Sequence, residues 1–469
     1  MTNWMPRLPT DATPRYIAIA DSMARDIDSR LLKPGDKLPP QRNLAYDLGV
    51  TIGTISRAYA LARERGLVAG EVGRGTYVLD RDAIAREHDA AAIKLRASLM
   101  PSPGNTLRMT STAAPDVGQA AIISRLFAET LADEPLSSID YVRGIPDSWR
   151  ESGADWLRVG KWRPSPGSVV PTLGVHAGLM SVLAAISAPG DRIAFEDLTY
   201  LATVRANAMM GRRLARLRST DDGIDPVDFE RVCAQQHPKA VVIVATINNP
   251  TLSTIPEGNR HRIAEIAHRY NVWILEDNTY GGLKDDAPRS FAEIAPHQTF
   301  HLGGMSKSVA AGLRAGWVAC PPGFEARVIN AHRMKTGGAP FTLKEIAARM
   351  VLNGEAWDIR DKVLDETRRR VALATRILDG LDFHSDPDSP FIWLRLPELW
   401  NPGTFREALL SAGISVDVAD EFKTGPLEYG CPYVRIALTG ALSETDVRRG
   451  LQTIRDIASN PSLCYDYSE

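Results

Sequence analysis

A lysine and an arginine seven residues apart carry the most chemical information in this chain. Lys307 sits on a short polar turn between an apolar run, 299–304, and a segment of small residues. Arg314 follows inside Gly-Leu-Arg-Ala-Gly. A lysine amine so placed suits a Schiff base with an aldehyde such as that of pyridoxal phosphate. The arginine, one loop further on, offers a planar fork of donors to a phosphate. Most lysines beside a serine are only solvated charges. Ser306-Lys307 gains meaning from the strand before it and the glycine-flanked arginine after it.

The groups that would complete such a site stand at the ends of apolar runs. Asp277 closes VWILED, 272–277, where a carboxylate can pair with a pyridinium nitrogen and keep it protonated. An acid buried at a strand end is costly unless paired, which favours a functional reading. Tyr280, three residues on, can hydrogen-bond a phenolic oxygen. Asn249, between the run 240–246 and Pro250, is an amide on a rigid turn that can serve the same oxygen. In PTLGVHAGLM, residues Gly174, Val175 and His176 open a helix whose free N–H groups and dipole suit a phosphate. Many helices begin this way, so that signal is weak alone. Tyr200, in EDLTY, can stack on a planar ring or fill a core. Arg435, in PYVRIALTG, reads by itself as a strand arginine in a salt bridge.

These residues need a scaffold, and the chain is long enough for one. Its 469 residues are 44% hydrophobic and 24% charged, with a net charge of −2. That length predicts about three compact units. From 115 onward, helical patterns alternate with near-continuous apolar strands at 240–246, 272–277, 299–304 and 316–320. This is the signature of a parallel or mixed sheet covered on both faces, which binds ligands at its strand ends. The four cysteines are scattered without metal-ligand spacing, and no metal site is expected. No apolar run approaches 20 residues and the N-terminus lacks a signal layout, so a cytoplasmic protein is expected, with no membrane partner.

The first 79 residues read differently. Ile17, Ala20, Met23, Ala24, Ile27 and Leu31 recur at helical spacing. A short helix follows Pro39-Pro40, and a third opens at Val50-Thr51 and ends at Gly66. Two short strands then flank Gly73-Arg74-Gly75. That order predicts a winged helix-turn-helix. Thr51, Thr54, Ser56 and Arg57 fall on the half of the third helix that enters a major groove in such motifs. Arg42 can reach a phosphate, and Arg74 a minor groove or backbone. The balance over 1–80, 11 basic against 9 acidic residues, leaves a dimerisation module open as well. Residues 80–114 predict a helix with Ile84, Ala91, Leu95 and Leu99 on one face, then a Pro/Ser/Thr-rich linker.

Residues 15–78 resemble the GntR-type winged helix, carried by PGDKLPPQRNLAYDLGV and TISRAYALARERGLVAGEVGRGTYV. Ile52 and Gly53 stand where such modules often have an arginine and a polar residue. Residues 115–469 resemble fold-type I aminotransferases of class I/II, through the order and spacing of Asn249, Asp277, Tyr280, Lys307 and Arg314. The resemblance implies a large and a small subdomain and a Schiff base on Lys307. It implies Asp277 on the pyridinium, Asn249 and Tyr280 on the phenolic oxygen, and Tyr200 on the ring. It places the phosphate against Gly174, Val175, Ser306 and Arg314, with Tyr141 reaching the site of a partner subunit. It makes Arg435 a ligand for a substrate carboxylate.

Two departures touch the pocket. Gly304 replaces the usual hydroxyl residue three before the lysine. Ser389-Pro390 replaces a glycine pair near the substrate end, which predicts a ligand other than an ordinary α-amino acid. The two resemblances together are similar to the MocR/GabR group of bacterial regulators. They imply a head-to-tail dimer that binds double-stranded DNA and responds to pyridoxal phosphate, an amino compound, or both. The alternative is a working aminotransferase with an accessory DNA module. Residual transamination is compatible with either.

Overall fold

The computed structural model describes residues 4–8, 14–65, 67–71, 75–79, 106–427 and 430–460. The chain divides into two units, Met1–Gly104 and Asn105–Glu469.

The first unit has helices α1 (Arg15–Asp28), α2 (Gln41–Asp47) and α3 (Ile52–Glu64), then an antiparallel hairpin of β1 (Val68–Glu71) and β2 (Gly75–Val78). Ile19, Met23, Leu44, Ile55, Tyr59 and Val78 close one core, which also takes in Trp4. The Tyr59 hydroxyl donates to the Pro39 carbonyl at 2.8 Å, tying α3 to the entry of α2. The third helix starts later than its sequence pattern suggests, because Thr51 is its cap rather than its first residue. The Thr51 hydroxyl accepts the Thr54 N–H at 3.2 Å. The expected helix from 80 to 99 and the hairpin tip at Arg74 lie outside the described residues.

In the second unit, residues 106–114, read from composition as linker, instead start the folded body. Strand β3 (Leu107–Arg108) pairs with Ile414–Ser415, and Leu107 and Met109 enter a core. The main sheet has seven strands: β4 (Val169–Thr172), β5 (Arg192–Glu196), β6 (Arg213–Leu217), β7 (Ala240–Ile243), β8 (Trp273–Asp277), β9 (Thr299–Gly304) and β10 (Gly316–Ala319). Their spatial order is β4-β10-β9-β8-β7-β5-β6, and only β10 runs antiparallel to its neighbours. All four strands read from the sequence are present. They are largely apolar because cores lie on both faces, with the buried Glu276 and His301 paired at 2.8 Å between β8 and β9. A second, four-stranded antiparallel sheet contains Phe391–Arg395, Asp417–Val418 and Tyr433–Ala437. Helices Glu355–Ile377 and Glu444–Ala458 cover it. This is a large and a small subdomain of the fold-type I plan.

Candidate ligand pocket

The strand ends of the main sheet meet at a cavity of about 330 Å³, within the range of small-molecule sites. It is lined by Tyr200, Asn249, Asp277, Tyr280, Ser306, Lys307, Arg314 and Arg435, so residues spread over 235 positions of sequence converge on one space. Val175 and His176 line the same cavity.

One wall is the N-terminus of helix α4 (Gly174–Ile186), which follows β4. Gly174 has φ +78°, a conformation that glycine adopts without strain. Strand β10 packs closely beneath it. A Cβ on Gly316 would fall 2.7 Å from the Gly174 backbone, so only glycine allows the approach. Arg314 Nη2 donates to the Leu173 carbonyl at 3.4 Å, which brings its guanidinium to the start of α4. Two buried residues brace this corner from behind. Lys344 Nζ donates to the carbonyls of Thr172, at 2.8 Å, and Gly316, at 3.0 Å. His332 Nε2 accepts the Leu173 N–H at 3.1 Å. Burial pushes Lys344 down to about 7. Burial and the Lys344 charge push His332 down to about 4. Neither residue carries a sequence motif.

Lys307 lies just past the end of β9. Its Nζ donates to the Thr112 hydroxyl at 2.9 Å, and the same hydroxyl is 2.9 Å from the Tyr280 phenol. Burial lowers the Lys307 amine to about 8; Arg435 and Arg314 add to that, and Asp277 opposes it. Asp277 ends β8, where it accepts the Thr279 N–H at 3.0 Å and the Thr279 hydroxyl. Burial raises its carboxyl, against the pull of those bonds and of Lys307. Tyr200 is half exposed, so it is a wall of the cavity and not a core tyrosine. It meets the His176 ring edge-on at 6.5 Å. The buried Nδ1 of His176 has no partner among the described residues.

Three expectations change. The space for a side chain at Gly304 is taken. A Cβ there would lie 2.8 Å from the Ala315 carbonyl and 3.1 Å from a Val175 methyl, so the missing hydroxyl follows from packing. Ser389 is fully buried and closes its own turn onto Phe391 through its hydroxyl. Neither it nor Pro390 lines the cavity. Arg435 does line it, but its guanidinium is already engaged, as the plain strand-arginine reading has it. It donates to Asn249 Oδ1 at 2.7 Å, to the Thr110 carbonyl at 2.8 Å, and to Asp417. Tyr141 is 89% exposed and lies with Leu136, Ile139 and Phe341 around a separate, open groove. It does not line its own subunit's cavity.

Sequence reasoning did not find Thr112 or Asp417. Thr112 sits in a Ser/Thr-rich stretch that looks like linker, and Asp417 alternates out of a short strand like any surface acid. In the first unit, Arg42, Thr51, Ser56 and Arg57 are exposed and Thr54 is half-buried. The Thr51 and Thr54 hydroxyls lie 2.9 Å apart at the start of α3. Among the described residues no helix is long and apolar enough to cross a membrane, and no acid, His and Cys cluster could hold a metal ion.

Comparison with known proteins agrees with both units. Residues 15–78 match the bacterial regulatory proteins of the gntR family, and residues 144–454 match the class I and II aminotransferases. The HTH-type transcriptional regulator YdeF of Bacillus subtilis is 26% identical over 97% of this chain and 96% of its own. The HTH-type transcriptional regulator YjiR of Escherichia coli is 24% identical over 92% and 96%. Among solved structures, the multiple substrate aminotransferase of Thermococcus profundus superposes with a TM-score of 0.68. It has 20% identity and covers 79% of this chain and 95% of its own. The chain therefore belongs to the class I and II aminotransferase family, in the MocR-type architecture that sets a gntR-type DNA-binding module ahead of the aminotransferase domain.

Proposed function

We propose that this protein is a pyridoxal phosphate-dependent transcription regulator whose hold on an operator changes when an amino compound enters the pocket at Lys307. The observation that carries the reading is the joining, in one chain, of a winged helix with a pocket that gathers Lys307, Asp277, Tyr280, Asn249 and Arg314. When bound, the cofactor supplies an aldehyde that condenses with amines and a ring that withdraws electrons.

The residues present fit that group. Lys307 offers a partly buried amine that is largely free at mildly alkaline pH. The start of α4 and Arg314, whose guanidinium reaches the Leu173 carbonyl, form a cradle for a phosphate. Ser306 lines the same end. His176 has a buried ring nitrogen that lacks a partner. Asp277 holds a buried carboxylate for a protonated ring nitrogen. Tyr280 and Asn249 stand where a phenolic oxygen would need donors, and Tyr200 offers a ring face.

The protein acts as a dimer, cytoplasmic, with its subunits head to tail. Support comes from the exposed Leu136, Ile139 and Tyr141, an apolar patch continuous with an open groove of about 820 Å³. Tyr141 would complete the partner's phosphate site. On the first unit, Arg42, Thr51, Thr54, Ser56 and Arg57 form the DNA face, and the exposed Ile52 offers a methyl contact to thymine; Arg74, outside the described residues, is a further contact from the sequence alone.

Operator retention by the wild type and by Lys307→Ala, each with and without cofactor and amines, tests the reading. Ligand-responsive binding that survives in Lys307→Ala would sink it. Steady amino-group turnover without sequence-selective DNA retention at moderate salt would favour the enzyme instead.

A further inference from the structure

The arginine expected to receive a carboxylate already has one. Arg435 and Asp417 are directly opposed on antiparallel strands, Tyr433–Ala437 and Asp417–Val418, so strand register fixes the pair. Nη2 spends its two hydrogens on Asp417 and on the Thr110 carbonyl at 2.8 Å. Nη1 gives one to Asn249 Oδ1 at 2.7 Å. A guanidinium grips a carboxylate with two parallel N–H groups, either Nη1 with Nη2 or Nε with Nη2. Both forks use Nη2, and Nη2 is full. Nε is buried without a partner among the described residues. The Phe391 and Phe422 rings, with centroids 5.4 and 4.9 Å from Cζ, hem in the group. Arg435 is 7% exposed, so its charge is balanced by an internal acid with little help from water.

We propose that Asp417 determines specificity. By neutralising Arg435 and occupying Nη2, it turns the pocket from a site for α-amino acids into one for primary amines that carry no carboxylate beside the amino group. This rests on the reading of Lys307 as the point where an amine is received. A ligand carboxylate placed at Arg435 would have to displace Asp417, leaving a partly buried acid unpaired, or lie against it as a like charge. An amine without that carboxylate meets neither penalty.

The test uses the full-length protein loaded with pyridoxal phosphate. Calorimetric titration compares phenylalanine with 2-phenylethylamine, and ornithine with 1,4-diaminobutane. The wild type is expected to bind each amine at least tenfold more tightly than its amino acid. Asp417→Ala frees one Nη2 hydrogen, and with it one fork, and removes the opposing charge, so it is expected to shift that ratio at least tenfold toward the amino acid. Asp417→Asn, which keeps the size of the side chain, should move it in the same direction by less. Tighter binding of the amino acids by the wild type overturns the proposal, as does a ratio unmoved in both folded variants. If the loaded wild type binds neither member of either pair, the amine-receptor reading itself fails and this inference falls with it. Preference for the amino acid removes only the ligand class.

Discussion

The hydroxyl of Thr112 stands 2.9 Å from Nζ of Lys307, across 195 residues of sequence. It is the nearest hydrogen-bonding partner that the key amine has, and it bridges to the Tyr280 phenol. Thr112→Val keeps the shape and removes the bridge. Because it leaves the buried Tyr280 hydroxyl unpaired, the variant should lose about 1–3 kcal/mol in urea unfolding of the apoprotein while keeping its fold.

Cofactor loading should follow the Lys307 amine. Only its neutral form attacks an aldehyde, and burial with two nearby guanidinia brings it to about 8. The rate of loading, followed by visible absorbance, should therefore climb through a midpoint near pH 8. Arg435→Met removes one of the lowering charges and should move that midpoint upward. A midpoint beyond pH 10 in the wild type would contradict the burial seen here.

Gly304 is closed to side chains by the Ala315 carbonyl, just before β10, as well as by Val175. Gly304→Ser should cost about 1–3 kcal/mol in folding stability and weaken cofactor retention instead of improving it. Adding Val175→Ala should recover only part of the loss, since the Ala315 carbonyl cannot withdraw. Unfolding midpoints of the single and double variants check this.

Lys344 makes a pH signature. Its folded value is about 7, well below that of a free lysine. Between about pH 7 and 10 the unfolded chain keeps a proton that the folded one releases. Folding therefore gains stability as pH rises, by up to about 1.4 kcal/mol per unit from this group. Below 7 the penalty is constant. In paired urea titrations at pH 7, 8 and 9, wild type should gain on Lys344→Met at each step.

Tyr141 can be tested by mixing. Lys307→Ala and Tyr141→Ala homodimers should each be poor at holding cofactor. Unfolding and refolding them together should restore one sound site per mixed dimer if Tyr141 serves its neighbour. No recovery in confirmed mixed dimers would place Tyr141 outside the site.

Much of this was legible from residue types alone. The strands were visible because burial on both faces makes them largely apolar, and Asp277 and Asn249 were visible because polar residues at such ends stand out. Lys307 with Arg314 was visible by spacing. Thr112, Lys344 and Asp417 were not. Each acts through a contact across at least 18 residues, set by sheet register or by a returning chain, and nothing local marks it. Arg435 shows the limit most plainly. Its position was readable and its occupant was not, since the acid that fills it is chosen by the neighbouring strand.

Thr110 and Thr112 lie within eight residues of Gly104, where the DNA-reading unit ends. The segment that opens the second unit is thus held at the ligand cavity twice, through the Thr110 carbonyl to Arg435 and through the Thr112 hydroxyl to Lys307. Whatever reacts with Lys307 or crowds Arg435 must also contend with that segment. Leu107–Arg108 and residues 110–112 are one short stretch, so the chain that supplies a strand of this unit also walls its cavity.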